Sequence, residues 1–169
     1  MSNPLSKLLL VLLSVCHGAA IAQADIPQGW RAPKSQEIAY EGDTWRNENS
    51  NKFLEVQADF DGDEKNDDAK LLVSSNGEKY ALFVFLGSGK TVRLAQEKTE
   101  HLQVMGIDFL LPGAHKTACG KGYWECKKGE PKMLHLHTPG LLYFKSESAA
   151  SVYVWSSSTK GFHQVWLSD

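Results

Sequence analysis

Phe53-Leu54-Glu55-Val56-Gln57-Ala58-Asp59-Phe60-Asp61-Gly62-Asp63-Glu64-Lys65-Asn66-Asp67-Asp68-Ala69-Lys70-Leu71-Leu72-Val73-Ser74 reads as two extended runs joined by an acid-rich loop. The flanks, 53–58 and 69–74, are too short for helices and are bounded by turn residues, which is the pattern of strands. Asn76-Gly77 follows as a hairpin signal, because both residues accept the positive φ of a type I′ turn. Residues 80–86, Tyr-Ala-Leu-Phe-Val-Phe-Leu, are almost wholly apolar and read as a central strand covered on both faces. Gly87-Ser88-Gly89 turns the chain into a strand over 91–94. Further strands are expected over 102–111 (stopped by Pro112-Gly113), 133–137, 141–144, 152–155 and 162–167. Upstream, Ser35-Gln36-Glu37-Ile38 forms one helical turn after Pro33, and 41–51 is a polar loop anchored by Trp45. Closely spaced strands with turn signals between them specify an all-β domain. No repeat of fixed period supports a multi-blade propeller. The expected fold is one antiparallel sandwich, barrel or propeller-like sheet stack with at most one or two short helices.

The acid-rich loop carries its own chemistry. Carboxylates this dense repel one another unless a cation neutralises them, and hard cations such as Ca²⁺ take six to eight oxygen ligands. Asp59, Asp61, Asp63, the carbonyl of Lys65 and Asp67 supply most of such a shell, with Gly62 at the bend. An EF-hand would need a bidentate Glu where this chain has Lys70, so the EF-hand pattern is incomplete. The D-x-D-G-D-x-x-x-D run between two strands resembles the aspartate-rich calcium loop of the FG-GAP/VCBS type. That resemblance implies a calcium-stabilised turn and no enzymatic activity. A solvated acidic turn without an ion is the alternative.

The first 24 residues read as a secretory signal peptide. Lys7 starts a positive region, 8–15 form a short apolar core, and Ala20-Ile21-Ala22 and Ala22-Gln23-Ala24 offer cleavage sites after Ala22 or Ala24. The apolar core is too short for a membrane span, and no later segment is long and apolar enough for one. Val15 stands before Cys16 where a lipid-modification site wants a small residue. The mature chain, 25–169, is about 145 residues, enough for a single β-rich domain with a real core. Its expected location is periplasmic or secreted.

Of three cysteines, Cys119 and Cys126 remain after cleavage, and in an oxidising compartment they read as a disulfide. A zinc site would need two more ligands, and only His115 is near in sequence. The bridge would close a small ring around Gly120-Lys121-Gly122-Tyr123-Trp124-Glu125 and restrict the unfolded chain by ~2–3 kcal/mol. Aromatic and basic residues dominate protein-binding hot spots. Lys121, Tyr123 and Trp124 are therefore candidate partner-binding residues; the other reading turns Tyr123 and Trp124 inward as a cap on the core.

Other functions find little support. Eighteen basic residues against 20 acidic ones, a net charge of −2, argue against nucleic-acid binding. Gly87-Ser88-Gly89-Lys90-Thr91 lacks the first Gly of a phosphate loop, since Val84 stands there, and a strand follows where a helix is needed. That argues against nucleotide binding. No G-x-S-x-G, H-E-x-x-H or Ser/His/Asp set is visible.

Residues 26–30, 56–72, 105–107, 117–126, 143–149 and 162–169 together resemble a group of small exported bacterial proteins of uncharacterised function. The resemblance transfers no catalytic residue. It is consistent with an exported, non-catalytic binding protein with a protein partner in the cell envelope. An inhibitor or immunity protein against a cell-wall-active enzyme is the most concrete version, by analogy of size and compartment. The second expectation is a cell-envelope enzyme or accessory protein acting on peptidoglycan or a glycan.

Overall fold

The computed structural model describes residues 25–40, 45–46, 49 and 51–169. The expected signal peptide with its two cleavage sites lies outside the described residues, as does much of the loop 41–51.

Eleven strands and three short helical segments follow one another in the described residues: β1 (Trp30–Arg31), α1 (Ser35–Ile38), β2 (Glu55–Ala58), β3 (Asp67–Ser74), β4 (Lys79–Phe85), β5 (Thr91–Lys98), a 3-10 helix (Thr99–Val104), β6 (Met105–Leu110), β7 (Gly113–Lys116), α2 (Ala118–Lys121), β8 (Met133–Leu136), β9 (Gly140–Lys145), β10 (Ala150–Ser156) and β11 (Gly161–Ser168). All strand pairings among the described residues are antiparallel. The first sheet runs β1-β3-β4-β5, with β2 also paired to β3; the second runs β11-β10-β9-β6; β7 and β8 form a separate hairpin. The sheets stack without closing into a barrel.

Period-two alternation decides which side chains meet. On β4, Tyr80, Leu82 and Val84 face the main core, while Ala81, Phe83 and Phe85 form a smaller cluster with Leu72 and Trp30. That is the doubly covered strand expected from its unbroken apolar run. The second sheet answers with Ile107, Leu141 and Tyr153, closing the main core between the sheets. Its outer face carries Val152, Val165 and Leu167, which pack under Leu134 and Leu136 of the β7–β8 hairpin. Each fully buried Leu, Ile or Val contributes ~1.5–3 kcal/mol relative to exposure. The sheets also join through the backbone, where Ile107 N–H donates to the Phe53 carbonyl at 2.9 Å.

Trp45 does anchor its loop. It stacks on Phe53 at 5.4 Å and meets Phe144 edge-on at 5.9 Å. Gly106 makes room for this cluster: a Cβ there would stand 2.6 Å from the Phe144 ring. Beside it, the polar-loop residue Arg46 is buried. Its guanidinium donates to the carbonyls of Lys52, Gln103 and Met105, tying the loop to the start of β6.

Several local expectations are corrected. The Asn76-Gly77 turn is a longer loop in which Gly77 alone has positive φ, 78°. The Ser74 hydroxyl spans it, donating to the Lys79 carbonyl and accepting from the Lys79 N–H, so Asn76 need not enter the left-handed region. The run 102–111 is not one strand; its first residues complete the 3-10 helix that carries the chain from one sheet to the other. β5 continues to Lys98 because its polar end still pairs with Lys79, Tyr80 and Ala81. The pair β1 and β7 had no sequence signal, being two and four residues long. α2 was also unexpected, bringing the helical segments to three.

Candidate functional site

The acidic loop leaves β2 and enters β3, and its turns are built by its own aspartates. Asp59 accepts the N–H groups of Gly62, Asp63 and Glu64 at 2.7, 3.1 and 3.0 Å. Gly62 and Glu64 both take positive φ, 78° and 66°. Asp67 is fully buried and accepts from Phe60 N–H at 2.8 Å and Gly87 N–H at 2.7 Å. One carboxylate therefore holds the loop, the first residue of β3 and the β4–β5 turn together.

This arrangement brings Asp59, Asp61 and Asp67 together, with one carboxylate oxygen of each within 4.8 Å of the others. Asp63 is not in the group. Its Oδ1 accepts the Lys65 N–H at 3.0 Å and its Oδ2 faces Lys65 Nζ at 3.5 Å. The electrostatics record the crowding. Burial, then the charges of Asp63 and Asp59, holds the Asp61 carboxyl above the usual carboxylate range. Burial likewise raises Asp67, partly opposed by the Gly87 and Phe60 hydrogen bonds and reinforced by Asp61 and Asp59. The donor set is all hard oxygen at close quarters, which suits a hard divalent cation.

Cys119 and Cys126 form a disulfide with their Cα atoms 5.0 Å apart. The ring begins with α2, whose Gly-containing sequence would not hold a helix alone. Thr117, fully buried, caps it: its Oγ1 accepts the Gly120 N–H at 3.1 Å and donates to the Pro131 carbonyl at 2.7 Å. Gly122 closes the helix in the left-handed region at φ 90°. Gly120 packs directly on the backbone of Lys132, where no Cβ fits.

Of the three candidate contact residues, the structure ties down two. Lys121 Nζ donates to the Leu167 carbonyl at 2.8 Å, pinning the ring to β11. Trp124 is half-buried and its indole N–H donates to the Glu130 carboxylate at 3.1 Å. Tyr123 stands out at 51 % exposure. Trp124 lines a shallow depression shared with Trp166 of β11, and Trp166 is itself exposed. Trp166 was missed as a site residue, because alternation on β11 shows only that it opposes Val165 and Leu167.

A second concavity is lined by residues of both sheets. It is a cleft of about 390 Å³. Tyr80, Tyr143 and Ser151 line it, as do Glu97, Lys145 and Trp166. The 3-10 helix contributes Glu100 and His101 to its lining, and the imidazole lies 3.7 Å from both Glu97 and Glu100. None of these residues forms a local sequence motif. The whole lining comes from seven separate elements, β4, β5, the 3-10 helix, β6, β9, β10 and β11, and from the turn between β9 and β10.

No family model, curated protein or solved structure matches this chain. Among the described residues, no helix is long and apolar enough to cross a membrane.

Proposed function

We propose that this chain is an exported, non-catalytic binding protein that docks a protein partner in the cell envelope, periplasmic or secreted, through the disulfide-closed ring. An inhibitor or immunity role against a cell-wall-active enzyme is the most concrete form of that reading. The carrying observation is a ring fixed in advance: the disulfide, the Thr117 cap and the Lys121–Leu167 bond hold it, and Tyr123 remains exposed beside Trp124. A pre-ordered loop loses little entropy on docking, and exposed aromatic side chains are the usual anchors. Tyr123 is the anchor in this reading, and Trp124 supports its pose. The test is a titration of envelope proteins captured by the mature chain against wild type and Tyr123→Ala. Losing an anchor costs ~2 kcal/mol or more, roughly thirty-fold in affinity. Unchanged affinity of the folded variant for every captured protein retires the reading.

The same reading assigns Ca²⁺ to the acidic loop as a structural ion, held by Asp59, Asp61 and Asp67. Binding to the folded state alone stabilises by RT ln(1 + [L]/Kd). Millimolar calcium raises the melting temperature of the wild type and leaves that of Asp61→Ala unchanged. Identical wild-type melting in calcium and in EDTA refutes the assignment.

A further inference from the structure

We propose that the cleft lined by the two sheets is a binding site for a neutral sugar ring. This is a second site beside the ring loop, and Trp166 is the residue that lines both the cleft and the depression next to Trp124.

Tyr80 is 1 % exposed, and its hydroxyl lies 2.7 Å from that of Tyr143. Burial keeps both phenols protonated, with Tyr80 pushed up to about 12 and Tyr143 higher still. Two hydroxyl protons share one hydrogen bond, so one proton is left over to donate to an occupant. Ser151, fully buried on the same wall, already accepts from Gln164 at 2.8 Å and donates to the Tyr143 carbonyl at 3.3 Å, which stiffens that wall.

The lining selects the occupant. Glu97 and Glu100 supply acceptors, while Lys145 and the spare phenol proton supply donors. A cation would meet Lys145, and an anion would meet both glutamates, so neither charge is favoured throughout. A sugar hydroxyl is donor and acceptor at once and can pair with each of these groups. Met105, Val104 and the exposed indole of Trp166 add apolar surface for the C–H face of a ring. A mainly apolar pocket with a few convergent polar groups is the usual build of a small-molecule site, and 390 Å³ falls within its usual volume.

The test is saturation-transfer NMR and calorimetric titration of the mature chain with glucose, N-acetylglucosamine and the β-1,4-linked dimer of each. Cadaverine and succinate serve as cationic and anionic comparisons. The expected result is transfer to sugar ring protons, at least ten-fold weaker binding by Trp166→Ala, and several-fold weaker binding by Tyr143→Phe, which keeps the ring and deletes only the hydroxyl. Thermal melting establishes that both variants are folded, and Tyr123→Ala retains the wild-type sugar affinity. The proposal is overturned if no sugar binds the folded wild type, if Tyr143→Phe binds as tightly as wild type, or if cadaverine or succinate binds more tightly than every sugar.

Discussion

Asp67→Ala, measured in EDTA, isolates the contribution of the buried carboxylate to the fold. Asp67 is fully buried, and its two oxygens accept from Phe60 N–H and Gly87 N–H, 2.8 and 2.7 Å away. Removing it orphans two backbone donors, each worth ~1.5–3 kcal/mol when the acceptor is charged. One effect runs the other way. Asp67 is held above the usual carboxylate range by burial and by Asp61 and Asp59, so its removal also relieves repulsion. The hydrogen bonds should win, because the Asp67 carboxylate is the acceptor that the structure gives to both N–H groups. The expected net loss is ~2–4 kcal/mol, a large share of the ~5–15 kcal/mol typical of a domain. At ~2–4 °C per kcal/mol, the melting temperature falls by about 10 °C. Equilibrium urea unfolding gives the magnitude, and amide exchange at Gly87 and Phe60 locates it. A loss below ~1 kcal/mol with Gly87 as protected as in wild type would falsify the claim that this carboxylate ties the loop to the β4–β5 turn.

Three further outcomes are expected. Gly120→Ala drives a Cβ into the Lys132 backbone and should cost at least ~1–3 kcal/mol; an unchanged melting curve contradicts the close approach. Alkylation of the mature protein without reductant should label neither Cys119 nor Cys126, and labelling of both in freshly prepared protein contradicts the bridge. Glu37 accepts a bidentate pair from Arg31 at 2.8 and 2.6 Å and is lowered to about 2, first by that hydrogen bonding. Its stabilisation is therefore full above the ordinary carboxylate range and disappears as pH falls from there towards 2. Asp61 and Asp67 have the opposite sign: their raised folded pKa values favour the folded state as pH falls through them. Urea midpoints of Glu37→Gln should lose part of the wild type's decline at low pH, and parallel pH profiles would remove Glu37 from the account.

The strands were legible wherever burial imposed a period. Residues 80–86 show their role in composition alone, since a strand with both faces covered has no polar position to offer. Alternation on β11 was equally plain, because Val165 and Leu167 pack on the neighbouring layer while Trp166 stays exposed; β10 alternates in residue type with both faces packed, Tyr153 in the main core and Val152 under the hairpin. The short strands β1 and β7 were not, because two to four residues carry no measurable period. α2 was hidden for a different reason. Gly120 and Gly122 disfavour a helix locally, and only the Thr117 cap, the disulfide and the close packing on Lys132 hold one there.

The candidate sites divide in the same way. Sequence by itself determined the acidic loop and the cysteine ring, because the residues of each are close neighbours along the chain. Tertiary structure decided which aspartates converge: Asp67 joins Asp59 and Asp61 because β3 begins there and two N–H groups capture its carboxylate, while Asp63 turns towards Lys65. It also decided that Lys121 and Trp124 are held by internal bonds while Tyr123 stays exposed. The cleft belongs to the tertiary structure alone. Tyr80, Glu97, Tyr143 and Trp166 lie on four strands of two sheets, and only the stacking of those sheets brings them around one space.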